Sequence, residues 1–222
     1  MFMKKIDYLI SPETKEFVNL CRRYFEYLEK MPDCEVSEFW TIMLEFLPEI
    51  YSNVSRLPQI DARYASEIEK FVTEREYNRT FANLCAYIGT LDKFSDFSDL
   101  GRPGIMKVID ASISETLTDI FQELKDFVLL YETGTLENMN DAIAECIDTF
   151  GQYWGVKLLS AARIIHINLH QHRYAEAKKA SRKFDEFHDD DDIDDDLDEV
   201  DLEDVDLDLD MNMEFFDDEE MD

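Results

Sequence analysis

His166, His170 and His172 stand close together in the chain, and imidazole is the side chain most often recruited for metal binding and for proton transfer near neutral pH. His166 and His170 are four residues apart, so on a helix they sit one turn apart on one face and could share a metal ion. Such a site needs carboxylates from another helix, and Glu115 and Asp119 are the candidates. A His-x-x-x-His pair without the Glu of a metalloprotease helix is a bare signal. Its ordinary meaning is a His166 packed at the rim of a core, with His170 and His172 solvated toward a helix end.

Carboxylates supply the second constellation. Glu123 with Asp126, and Glu145 with Asp148, both fit Glu-x-x-Asp. Helical nucleotide pyrophosphohydrolases use such pairs for Mg²⁺, because hard cations want several oxygen ligands. At this spacing carboxylates more commonly form one solvated face of a helix. Gly-x-Ser-x-Gly, the P-loop and Gly-x-Gly-x-x-Gly are all absent. Arg102, in Gly101-Arg102-Pro103-Gly104, could hold an anion, although ordinary turn chemistry accounts for it. Trp154, between Gly151 and Gly155, reads as core filling at a helix kink. Cys21, Cys34, Cys85 and Cys146 form no CxxC pair and read as buried or idle thiols in a reducing compartment. No cofactor is expected.

The elements that must carry these residues are helices. Six Gly and five Pro in 222 residues are too few for the turns of a sandwich or barrel. Ser11-Pro12 is an N-cap followed by proline at the first helical position. Phe17, Leu20, Cys21, Tyr24 and Leu28 then form one helical stripe, which Met31-Pro32-Asp33 ends. A second helix is expected over about 35–54, with Phe39, Ile42, Met43, Phe46 and Ile50 inward and Pro48 kinking or splitting it. A short helix with Tyr64, Ile68 and Phe71 inward follows Leu57-Pro58. Thr73 and Glu76 form a capping box that opens a helix closed by Gly89. Leu91 to Gly104 reads as a loop that Phe94 and Phe97 pin to the body. Ser112 and Glu115 cap the cleanest helix. It has Ile113, Leu117, Ile120, Leu124, Phe127 and Tyr131 on one side and Glu115, Asp119, Gln122 and Asp126 opposite, and it is ended by Gly134. The last two helices are expected over about 136–150 and 156–180, the latter with Leu158, Ala162, Ile165 and Leu169 inward.

Charge divides the chain more sharply than hydropathy does. Against a net −30, residues 185–222 hold 23 acids and no Lys or Arg. Residues 157–184 carry +6, and residues 1–156 carry −13. The acidic segment alternates Asp with Leu, Val and Ile, yet adjacent like charges repel, so it is expected to be disordered. The −13 over the body argues against a nucleic-acid partner. No apolar run approaches the roughly 18 residues of a membrane span, and the first residues lack a signal-peptide h-region, so a cytoplasmic protein is expected. The basic block beside the acidic tail suggests a helix end that meets an anionic partner while the tail competes for it. Met211, Met213, Phe215 and Phe216 amid acids resemble segments that fold onto a partner.

Three stretches carry a family resemblance. Ser112 to Phe127 (SISETLTDIFQELKDF) resembles the signature helix of an uncharacterised bacterial family, best known from Bacteroidetes and catalogued as a domain of unknown function. Phe150, Tyr153-Trp154-Gly155, Leu158, Ala162-Arg163 and His166 resemble its second signature, and Thr73 to Gly89 is similar as well. The resemblance covers about residues 11–172, with Phe121 where a Tyr is expected. It implies a helical fold, assigns no activity, and singles out Asp119, Asp126, Trp154, Arg163 and His166.

The expectation is thus an all-α bundle of six or seven helices over residues 5–183, followed by a disordered acidic tail over 184–222. Its expected role is a non-enzymatic interaction module with a protein partner, the tail modulating binding. The alternative is a metal-dependent or hydrolytic enzyme built around His166. The positions to test are Glu115, Asp119, Asp126, Trp154, Arg163, His166 and His170.

Overall fold

The computed structural model describes residues 7–30, 33–63, 68–99 and 106–188. Residues up to Ala180 form one compact unit; of the second unit, beginning at Ser181, residues 181–188 are described and are helical. The expected disordered tail lies, from residue 189 onward, outside the described residues, as do Tyr64 and Arg102.

The helices are α1 (Pro12–Lys30), α2 (Val36–Val54), α3 (Glu74–Ile88), α4 (Ile113–Glu132), α5 (Leu136–Thr149) and α6 (Gly155–His188). Their ends carry the expected chemistry. Ser11 Oγ accepts from the Thr14 N–H at 3.2 Å, Thr73 from Glu76 at 3.3 Å, and Ser112 from Glu115 at 3.2 Å. Gly89 and Gly134, at φ +64° and +80°, supply the left-handed residues that end α3 and follow α4. Helix α2 runs through Pro48 without the split that was one of the two outcomes expected there.

Helix α4 packs against α1, α3 and α5 and forms the centre of the bundle. This corrects one expectation. Asp119 and Asp126, expected opposite the apolar stripe of α4, are only 7% and 4% exposed, because α4 is covered on several sides. The core stripes of α1, α2 and α6 close around it through Phe17, Tyr24, Trp40, Leu47, Leu158 and Ile165. On α6 the buried residue is Ala161, and Ala162 is half-buried. Lys125 lies over the rings of Phe25 and Phe121 and pairs with Glu29 and Glu76, joining α1, α3 and α4.

Two segments differ from the all-α expectation. Where a loop was expected, β1 (Lys93–Asp99) pairs antiparallel with β2 (Met106–Ser112), Lys93 opposite Ser112 and Phe97 opposite Val108. The chain is mostly helical with one two-stranded hairpin. Moreover α5, a π turn over Phe150–Trp154 and α6 form one unbroken helical path. The described helices therefore make five rods, fewer than the six or seven expected.

The short helix expected around Ile68 and Phe71 is not formed by the described residues; residues 58–62 and 68–73 have no regular secondary structure. Side chains take over the backbone bonding there. Asp141 Oδ1 accepts from the Arg63 N–H at 2.6 Å, Asn140 Nδ2 donates to the Asp61 carbonyl at 3.0 Å, and Asp126 Oδ1 accepts from the Phe71 and Val72 N–H groups at 2.7 and 2.8 Å. Ile68 and Phe71 still pack against the core.

Candidate functional site

Asp119 is the most heavily engaged of the candidate residues. Its Oδ1 accepts from the Tyr77 hydroxyl at 2.7 Å, and its Oδ2 pairs with the Lys157 ammonium. Lys157 also donates to the Tyr153 hydroxyl at 3.1 Å and lies 4.5 Å from the Tyr153 ring centroid. Burial opposes charge on Lys157, but its bonds to Asp119 and Tyr153 prevail and hold its pKa above the ordinary value. Burial, followed by the bond to Asp119, raises the Tyr77 hydroxyl. The cluster is a satisfied ion-pair and hydrogen-bond network. Its acid is ion-paired to a charged ammonium, and its two phenols are held neutral.

The π turn places two of these groups. It offsets the helix by one residue and brings Tyr153 and Lys157 beside α4. Gly155 is required there: a Cβ would stand 2.5 Å from the Phe150 carbonyl oxygen and 2.9 Å from its ring carbons. Trp154 is fully buried, packs edge-on against Phe150 at 4.7 Å, and donates its Nε1–H to Thr149 at 3.1 Å. The expectation that it fills core holds.

The histidines lie elsewhere. His166 and His170 are exposed, with ring centroids 4.3 Å apart, and His172 is exposed as well. His166 is therefore solvated instead of packed at the core rim. Among the described residues no three His, Cys, Asp or Glu side chains come together to hold a metal. Arg163 is exposed and pairs with Asp96 at 3.5 Å, tying α6 to β1.

Asp126 forms a second polar centre. Its Oδ2 is buried and has no protein partner. It borders a cavity of about 10 Å³ with Lys70, Glu123, Glu145 and Cys146, room for roughly one water. Burial raises the pKa of both Asp126 and Glu123. The structure thus brings Glu123 and Glu145, one acid from each Glu-x-x-Asp pair, to the same cavity as Asp126, with the Lys70 ammonium already among them.

A larger opening lies where the hairpin meets the π turn. It is a cleft of about 350 Å³ bordered by Asp96, Phe97, Ile109, Glu115, Tyr153 and Val156, among others. Of the nine large apolar side chains exposed among the described residues, four border this cleft, Phe97, Ile109, Tyr153 and Val156, while Val108 and Leu159 are exposed on the same hairpin and helix. Phe97 is 56% exposed and Val156 63%, so Phe97 does not pin the segment to the body, whereas Phe94 does pack against the core. Sequence reasoning passed over Val156 and Leu159. The available signal was that they flank the inward Leu158 on a helix otherwise polar on that side. Tyr77 and Lys157 were missed too, because their partner is 42 and 38 residues away.

The profile of a family described as "Domain of unknown function (DUF5063)" matches residues 8–171. The chain is also similar to a solved structure, the crystal structure of protein BF1032 from Bacteroides fragilis, a structural-genomics target. The two are 30% identical over 73% of this chain and 98% of that one, with a TM-score of 0.62. No curated protein matches.

Proposed function

As the chain belongs to the DUF5063 family, a domain of unknown function that lends it no activity, its role has to be argued from its own geometry, and we propose that it is a non-enzymatic protein-interaction module. Its docking face is the cleft between the hairpin and the start of α6. One observation carries this reading: four of the nine large apolar side chains exposed among the described residues, Phe97, Ile109, Tyr153 and Val156, border that one cleft. Scattered surface apolar residues are ordinary, whereas a contiguous patch beside polar groups marks an interaction site. The polar network beside it is internally satisfied. Asp119, Lys157, Tyr153 and Tyr77 bond to one another. The acidic residues 185–222 modulate the encounter by their charge, a long-range effect on association rates.

The test is capture followed by reconstitution. The wild-type chain and a Val156→Asp variant are used side by side as bait, and any protein held by the wild type is purified and titrated against both. The reading requires a partner whose binding weakens by at least about tenfold in the variant, the scale expected for a charge forced into an apolar contact. A partner that binds both equally would place the docking face elsewhere.

A further inference from the structure

We infer that the segment the hairpin–α6 cleft accepts is a basic, apolar stretch of a partner protein, one that offers aliphatic or aromatic side chains together with Lys or Arg. This rests on the docking-face reading above. The cleft has apolar walls in Phe97, Ile109 and Val156 and an acidic rim. Among the described residues the one bordering cation, Lys157, is committed to Asp119, and Asp96 is paired with Arg163. Asp110 and Glu115, both exposed, have no partner among the described residues and flank the apolar floor. Two unpaired carboxylates beside exposed apolar side chains favour a cationic group arriving with apolar contacts, and they repel an anionic one.

The same charges decide against the other occupants. Residues 185–222, with 23 acids and no Lys or Arg, would bring like charge to Asp110 and Glu115. A second copy meeting this face with its own would gather four unpaired carboxylates in one interface. The body's −13 over residues 1–156 reinforces the preference at longer range.

The experiment titrates the full-length chain with two labelled peptides of equal apolar content, followed by fluorescence anisotropy. One alternates Leu with Lys and the other Leu with Glu. The Lys peptide is expected to bind at least about tenfold more tightly. The double variant Asp110→Asn/Glu115→Gln should remove most of that preference, and Val156→Asp should abolish cleft binding of either peptide. Equal binding of both peptides, lost in Val156→Asp, would keep the docking face and overturn the partner chemistry. Lys-peptide binding unchanged in every variant would place it on the acidic tail and overturn both. Preference for the Glu peptide would admit the chain's own tail, and a dimer seen by sedimentation that Val156→Asp dissociates would admit a second copy; either overturns the proposal. Circular dichroism checks that the variants remain folded, and Phe97→Ser provides a second route to the same apolar wall.

Discussion

Asp126 is the residue whose surroundings make the sharpest demand. One oxygen holds two backbone N–H groups, while the other is buried among Glu123, Glu145 and Lys70 with no protein partner. An Asn in its place keeps the oxygen that accepts from Phe71 and Val72 and removes the buried charge. An Ala leaves both N–H groups unpaired. Asp126→Ala should therefore cost about 1–3 kcal/mol, whereas Asp126→Asn should stay within about 1 kcal/mol of wild type near neutral pH. The pH dependence has a definite sign. Burial raises the Asp126 carboxyl above its ordinary 3.8, so the folded state holds its proton more tightly than the unfolded chain does. Its contribution is full below that ordinary value and is lost as pH rises through the folded one. Thermal melts from acid to neutral pH should therefore show Asp126→Asn gaining on wild type as pH rises. Parallel curves would mean that Asp126 titrates as it does in the unfolded chain.

At the scale of elements, the sequence was most legible where local chemistry decides. The caps at Ser11, Thr73 and Ser112 and the glycine stops at Gly89 and Gly134 follow from rules that act over four or five residues, and each is found in place. The hairpin was missed because Lys93–Asp99 is rich in Ser and Asp and reads as loop; the usable signal was Gly101-Arg102-Pro103-Gly104 between two seven-residue runs, the second containing Val108 and Ile109. The burial of Asp119 was missed because amphipathicity reports a helix's own faces and not how many neighbours cover it. Asp92 joins hairpin and helix in a way no local pattern announces. Its carboxylate accepts from Ser112 Oγ and from the Ser114 N–H, both at 2.7 Å, and its carbonyl accepts from the Ile113 N–H at 2.9 Å. Burial opposes its charge, yet the bonds from Ser114 and Ser112 prevail and lower its pKa. Asp92→Ala should lose about 1–3 kcal/mol at neutral pH, read from denaturant unfolding. That loss should shrink in acid, because a lowered carboxyl contributes above its unfolded value and stops contributing as pH falls through the folded one. Gly155→Ala tests the π turn: its Cβ would meet the Phe150 carbonyl, which cannot yield without moving the helix, and a fall of about 1–3 kcal/mol is expected. A stability unchanged by that methyl group would mean that the turn can relax to an ordinary α-helical register.

For the whole molecule the question is what the 23 acids at its C-terminal end contribute. The family match ends at residue 171, and the buried core of the described residues reaches Leu169, just before that point of α6. Apolar burial is the dominant favourable term in folding, and the buried core of the described residues, from Leu9 to Leu169, lies upstream of the acidic segment. Charge works in the same direction. A −23 segment attached to residues 1–184, which carry a net −7, adds repulsion that its removal would relieve. Deleting residues 185–222 should accordingly change the melting temperature by no more than about 2 °C, the effect of a surface change in a domain this size. Binding should respond quite differently. If a basic segment is the partner, the tail adds long-range attraction, so its deletion should slow association and flatten the salt dependence while leaving dissociation nearly unchanged. Stopped-flow measurement on full-length and truncated chains separates the two. Faster association after deletion would mean that the tail screens the cleft, and a large drop in melting temperature would mean that it belongs to the fold.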